Sequence, residues 1–167
     1  RLIALRAPMA DDLREVIAAL KISGVLERIG DYAKNIAKRT EVLSHMQPIE
    51  GASSAIRRMS KEVEAMLSDA LDSYIRRDAT VGEDVRHRDL EVDQMYNALF
   101  REFLTFMMED PRNITSCTHL LFCAKNLERI GDHVTNIAEN AYFVVTGQQL
   151  PVSRPKLDET SLSVLAE

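Results

Sequence analysis

The chain has 167 residues, of which 46% are hydrophobic, with only 6 Gly and 5 Pro, so it can bury a core and is not a disordered chain. A formal net charge of -5 excludes the broad basic footprint that nucleic-acid binding needs. No apolar run approaches the roughly 20 residues of a bilayer-spanning helix and no charged-then-apolar leader opens the chain, so a cytosolic protein without direct membrane insertion is expected.

Arg1-Leu2-Ile3-Ala4-Leu5 reads as the last turn of a helix that begins upstream. Pro8 and the Asp11-Asp12 pair suit a helix start, because proline fits the first turn and acids complement the positive end of the macrodipole. Leu13, Val16, Ile17, Leu20, Ile29 and Ile36 then recur at helical spacing and predict a first long helix to about Leu43. Pro48 is expected to open a second helix, whose stripe of Ile56, Met59, Val63, Met66, Ala70, Tyr74 and Ile75 runs out near Asp78.

Thr80-Val81-Gly82-Glu83 has the form of a capping box, which predicts the start of a third helix running through Val85, Val92, Tyr96, Leu99 and Phe103 to a stop at Asp110-Pro111. Asn113 is expected to cap the fourth, which carries Leu120, Leu127, Ile130, Val134 and Ile137 to a glycine stop at Gly147. Residues 148–167 form a tail expected to be mobile. Cys117 and Cys123 are six residues apart in one helix, point to different faces and read as reduced, buried small hydrophobes.

These elements predict an all-α fold. Long helices joined by short loops pack antiparallel, so residues 48–147 should form a complete three-helix bundle. The helix within residues 1–47 is left over. It needs a partner from an absent N-terminal segment, from another subunit, or from the side of the bundle.

One phrase is written twice: Leu26-Glu27-Arg28-Ile29-Gly30-Asp31 with Asn35-Ile36-Ala37, then Leu127-Glu128-Arg129-Ile130-Gly131-Asp132 with Asn136-Ile137-Ala138. Such a long matching pattern marks an internal repeat. Along three of the helices, acids intrude where the helical pattern reserves apolar places. Asp89 falls on the seam between Val85 and Val92, with Asp93 one turn on; Glu128 follows Leu121 and Ala124, with Asp132 one turn on; Glu27 follows Leu13, Val16 and Leu20, with Asp31 one turn on.

A buried ionised carboxylate costs several kcal/mol unless a cation, hydrogen bonds, a shared proton or a metal ion compensates for it. Two helices that each present an acid pair at i and i+4 can converge four oxygen ligands, which suit Mg, Mn, Fe or Ca and less commonly Zn. The competing reading is that Arg28 and Arg129, beside the glutamates, satisfy the charge in a purely structural bundle. A carboxylate-bridged metalloenzyme using Asp89, Asp93, Glu128 and Asp132 is a further alternative. Gly30 and Gly131 mark a close approach to the backbone, by a neighbouring helix or by a ligand. Asn35 and Asn136 either hydrogen-bond across helices or orient a ligand carboxylate.

The doubled motif, the segment from Arg1 to Arg14 and the run Asp89-Leu90-Glu91-Val92-Asp93-Gln94-Met95-Tyr96 together resemble the PhoU family of bacterial phosphate-transport regulators. The resemblance covers nearly everything from Arg1 to Gly147. It implies two tandem three-helix bundles, with residues 1–47 the last helix of an otherwise missing first bundle. It also implies iron or zinc clusters on the acid pairs, here Glu27 and Asp31, then Asp89, Asp93, Glu128 and Asp132; from their spacing, Asn35, Asn136, Arg28 and Arg129 are candidate supporting residues beside them.

The role implied is a non-catalytic adaptor between the phosphate ABC transporter and a membrane sensor histidine kinase, keeping the phosphate-starvation response off when phosphate is plentiful. Its place would be the cytoplasm, held at the inner membrane through its partners. The chain departs from the family pattern in lacking the first two helices, and with them the acid pair that completes the first site. A homodimer or larger homo-oligomer, in which another chain supplies the missing contacts, is therefore expected.

Overall fold

The computed structural model describes residues 10–150, so the expected turn over residues 1–5, the start at Pro8 and the mobility of residues 151–167 lie outside the described residues. Four long helices follow one another: α1 (Ala10–Leu43), α2 (Ala52–Arg76), α3 (Val81–Glu109) and α4 (Ile114–Thr146), with a 3-10 turn, Pro111–Asn113, before the last. No strand occurs among the described residues.

The helix ends correct three expectations. α2 begins at Ala52 rather than Pro48, because Gly51 adopts a left-handed conformation with φ of 75° that interrupts any helix entering from Pro48. The capping box does not form: Thr80 is already in helical conformation, and its amide and hydroxyl both donate to Asp78 Oδ1, at 2.9 and 2.7 Å. Asp78 therefore makes the turn that the sequence pattern assigns to Thr80 and Glu83. Asn113 does not cap α4 either; its Nδ2 donates to the Phe106 carbonyl at 3.3 Å, tying the 3-10 turn back to α3. Gly147 does end α4, with φ of 70° and its amide donating to the Phe143 carbonyl at 2.9 Å.

α2, α3 and α4 pack on one another as a three-helix bundle, and α1 lies along the flank of α4. Met59, Met66, Val85, Val92, Phe103, Val134 and Ile137 are fully buried where the three helices meet. Each such side chain contributes about 1.5–3 kcal/mol on leaving water. Arg88 of α3 staples the bundle from outside, reaching Glu62 at 2.6 Å and Asp69 at 2.5 Å on α2, and Asp84 at 3.5 Å on its own helix.

Of the partners considered for α1, the side of the bundle is the one present in this chain. Because α1 meets one neighbour, it buries a single narrow stripe: Ala18, Ile22 and Ile29, flanked by half-buried Val25, Tyr32 and Ile36. The seam through Leu13, Val16, Leu20 and Glu27 belongs to a different face, and Leu20 is 65% exposed. At the far end, Arg14 lies against Gly147, where any Cβ would meet its guanidinium.

Candidate functional site

α3 and α4 bring their acids inside the bundle. Asp89 and Asp93 on α3 are 3% and 4% exposed and Glu128 on α4 is 4% exposed, while Asp132 is half-buried. The seam argument therefore holds for this pair of helices. Asp89 lies between Val85 and Val92, both fully buried, so the carboxylate shares the face that packs the core.

Gly131 makes room for it. A Cβ at that position would stand 2.8 Å from Asp89 Oδ1, closer than packed atoms tolerate, so the missing side chain is what allows the carboxylate against the α4 backbone. A neighbouring helix is thus what approaches Gly131, and the approaching group is an acid.

The charge of Glu128 is met in part by Lys125, whose Nζ lies 3.1 Å from Oε1 and 4.7 Å from the centre of the Tyr96 ring. Lys125 takes the role expected of Arg129, which is exposed and reaches instead over the Tyr32 ring, 5.9 Å away. Glu128 Oε2 is buried with no hydrogen-bond partner. Burial pushes the Glu128 carboxyl above its ordinary range; Lys125 pulls it back, and the charges of Asp132 and Asp93 push it further up.

Lys125 and Tyr96 are functional neighbours that the sequence reading missed. The signal was a difference between the repeats: where the second copy has Lys125, three residues before Glu128, the first has Gly24 before Glu27.

The donor set fits a hard cation in chemistry: buried carboxylates, one with an oxygen lacking a partner, and a glycine that clears space beside another. As the side chains stand, no three His, Cys, Asp or Glu among the described residues gather closely enough to hold an ion. Glu128 Oε1 is turned to Lys125, so loading would exchange that ammonium for a metal ion.

The first copy is arranged differently. Glu27, Asp31, Asn35 and Arg28 are all exposed, and nothing lies within 4 Å of where a Cβ on Gly30 would stand. Glu27 and Asp31 do not sit on a buried face, which corrects the seam reading for α1. They face away from α4 because the stripe that packs there, Ala18, Ile22 and Ile29, lies on the other side of the helix. The two acid clusters are therefore not brought together. Asn136 is half-buried on the seam between α1 and α4, where Tyr32 stacks on His133.

Residues 1–40 and 56–141 match the family model of the PhoU domain. The chain belongs to the PhoU family. It is similar to the phosphate-specific transport system accessory protein PhoU homolog of Caulobacter vibrioides, 58% identical over 161 residues that make up 96% of this chain and 70% of that protein. The PhoU homolog of Zymomonas mobilis is 56% identical over 90% of this chain and 63% of its own length.

Among solved structures, PhoU from Pseudomonas aeruginosa superimposes with a TM-score of 0.83 at 39% identity, covering 89% of this chain and 71% of that one. The phosphate transport system regulatory protein PhoU from Streptococcus pneumoniae gives 0.80 at 32% identity, over 91% and 70%. The PhoU fold expected from the repeat is thus borne out. Among the described residues, no helix is long and apolar enough to cross a membrane.

Proposed function

We propose that this chain is a regulator of phosphate uptake and of the phosphate-starvation response, acting as a non-catalytic helical adaptor between a phosphate ABC transporter and a sensor histidine kinase. The observation that carries this reading is the 58% identity, over nearly the whole chain, to an accessory protein of the phosphate-specific transport system. An adaptor needs a rigid body with exposed polar faces, and a bundle closed by fully buried Met59, Met66 and Phe103 supplies one. Negative regulation predicts that expressing the chain in a bacterium lacking its own PhoU lowers a phosphatase reporter when phosphate is abundant. A reporter that stays fully on, with the chain stably expressed, refutes the role.

Metal binding is part of the same reading, with Asp89, Asp93, Glu128 and Asp132 as ligands for iron or zinc. The support is Glu128 Oε2, a buried carboxylate oxygen without a partner. When bound, the ion would neutralise the acid cluster and tie α3 to α4; the chain's own part is to hold the oxygens in a dry site. Elemental analysis of protein purified without chelators tests this: bound metal that falls in Asp93→Asn and Glu128→Gln supports it, and metal-free protein refutes it.

A structural reading is favoured by one observation, the Lys125–Glu128 pair at 3.1 Å. Under it, chelator leaves the melting temperature unchanged.

For the outward face of α1 we propose a second copy of the chain as the partner. Leu20, 65% exposed, stands there beside the exposed acids Glu27 and Asp31. Light scattering that returns a monomer at every concentration would exclude it. Placement at the cytoplasmic side of the inner membrane, through the transporter and the kinase, follows from the adaptor role.

A further inference from the structure

Where α1 lies on α4, one side of the seam opens into a groove of about 420 Å³. Lys21 and Arg28, two helical turns apart on α1, form one wall, and His133, Asn136 and Asn140 of α4 form the other. Gly24 lies between the two cations in sequence and also lines the groove, and nothing stands within 4 Å of where its Cβ would be. None of the residues lining this groove is acidic.

The groove adjoins a second cavity of about 340 Å³, since Lys21 and Asn140 line both. The acid in that second cavity, Glu139, is engaged by Arg86 through bonds of 3.2 and 2.7 Å. In a chain of net charge -5, the seam is a local reversal of sign.

The donors suit a compact oxyanion. A guanidinium presents a planar fork to two oxygens, a lysine adds a point charge, and the amides and imidazole opposite supply further hydrogen-bonding groups. Asn140 Nδ2 already donates to the Asn136 carbonyl at 2.7 Å, and that bond holds the amide toward the seam with its second hydrogen to spare. His133 is held by its stack on Tyr32, with ring centroids 5.5 Å apart. Two cations facing amide and imidazole groups, with no acid in the lining, match a doubly charged tetrahedral anion better than a monocarboxylate.

We propose that the seam between α1 and α4 is a binding site for a phosphate-type oxyanion, either free phosphate or the phosphate monoester headgroup of a lipid. This goes beyond the adaptor reading and does not depend on it, since it is argued from the side chains that line the groove alone.

The test has two arms. Inorganic phosphate is titrated into the chain by calorimetry at low ionic strength, and the chain is floated with phosphatidylcholine vesicles with and without phosphatidic acid. Both arms are run on wild type, on a Lys21→Gln/Arg28→Gln double variant, on Gly24→Leu, which fills the groove, and on the control Arg57→Gln, exposed on α2. The expected result is saturable binding that weakens on the order of tenfold or more in both groove variants and is unchanged in the control. Binding in the calorimeter assigns a free anion, and binding confined to phosphatidic acid vesicles assigns a headgroup. Absence of saturable binding in both arms, or equal binding by wild type and both groove variants, overturns the proposal.

Discussion

Tyr32 and His133 hold the same place in the two copies of the repeat, one residue after Asp31 and Asp132, and they stack on each other with ring centroids 5.5 Å apart and planes inclined by 22°. Equal positions that meet across a helix pair place a local twofold axis between the rings. Ile29 and Ile130, three residues before the two rings, also occupy equal repeat positions and are both buried. Stacked aromatic pairs contribute about 0.5–1.5 kcal/mol beyond their buried area. A double-mutant cycle of Tyr32→Ala and His133→Ala in urea should return a coupling in that range. Additive losses would mean that the stack adds nothing beyond area.

The two repeat glycines should respond oppositely to one methyl group. Gly30→Ala meets open space on an exposed helix face, and should stabilise by about 0.5–1 kcal/mol through the lower entropy of the unfolded chain. Gly131→Ala puts a Cβ 2.8 Å from Asp89 Oδ1 in the bundle core, and should destabilise by about 1–2 kcal/mol despite the better helix propensity. Thermal melts of both variants read the sign directly; equal shifts would contradict the packing described at Gly131.

Arg88 is one cation shared among Glu62, Asp69 and Asp84, and its side chain is largely buried while theirs are more open. Arg88→Met keeps the stem and removes the charge, leaving three carboxylates facing one another. A loss of about 1–2 kcal/mol is expected at low salt, shrinking as salt screens the remaining repulsion. A loss independent of ionic strength would locate the effect in packing instead.

Both cysteines should be unreactive in the native protein. Cys117 and Cys123 are buried and unpaired with each other, and burial pushes both thiols up, with Arg39 pulling Cys123 part of the way back. Because the thiolate is the attacking form, alkylation near neutral pH should be slow and should accelerate with denaturant in step with unfolding. Rapid modification of folded protein would show that the core around α4 opens locally.

Two turn acids, exposed Asp78 and half-buried Asp110, set an acid-side dependence. The side-chain and backbone bonds from Arg112 hold Asp110 below the ordinary value of 3.8, and Thr80 does the same for Asp78. A carboxyl whose folded value is lowered adds stability above its unfolded value and loses it as pH falls through the folded one. The difference in melting temperature between wild type and Asp110→Asn should therefore close on acidification below about 3.8. A difference that persists at the lowest pH would assign the effect to something other than charge.

The periodicity of apolar residues was enough to find all four helices, and the interruption of that periodicity by Asp89 and Glu128 was enough to place acids inside the bundle. Helix starts were less legible, because a capping pattern competes with the turn before it: Asp78 captured the Thr80 amide first. The face of α1 was misread for a different reason. A helix with apolar residues on two sides does not say which side is covered, and with one neighbour only the Ala18-Ile22-Ile29 side is. Lys125 has no counterpart in the first copy, where Gly24 stands, so the shared pattern does not point to it.

Every other helix of the described chain packs on α4, and α4 is the last of them in chain order. During synthesis α2 and α3 can meet each other as they emerge, but the surface that all three helices share comes last. Met59, Phe103 and the inward acids of α3 are fully enclosed only with the residues up to Thr146 in place. Closure of the core thus waits on the last of these helices, and the half-built bundle keeps apolar surface open until α4 arrives.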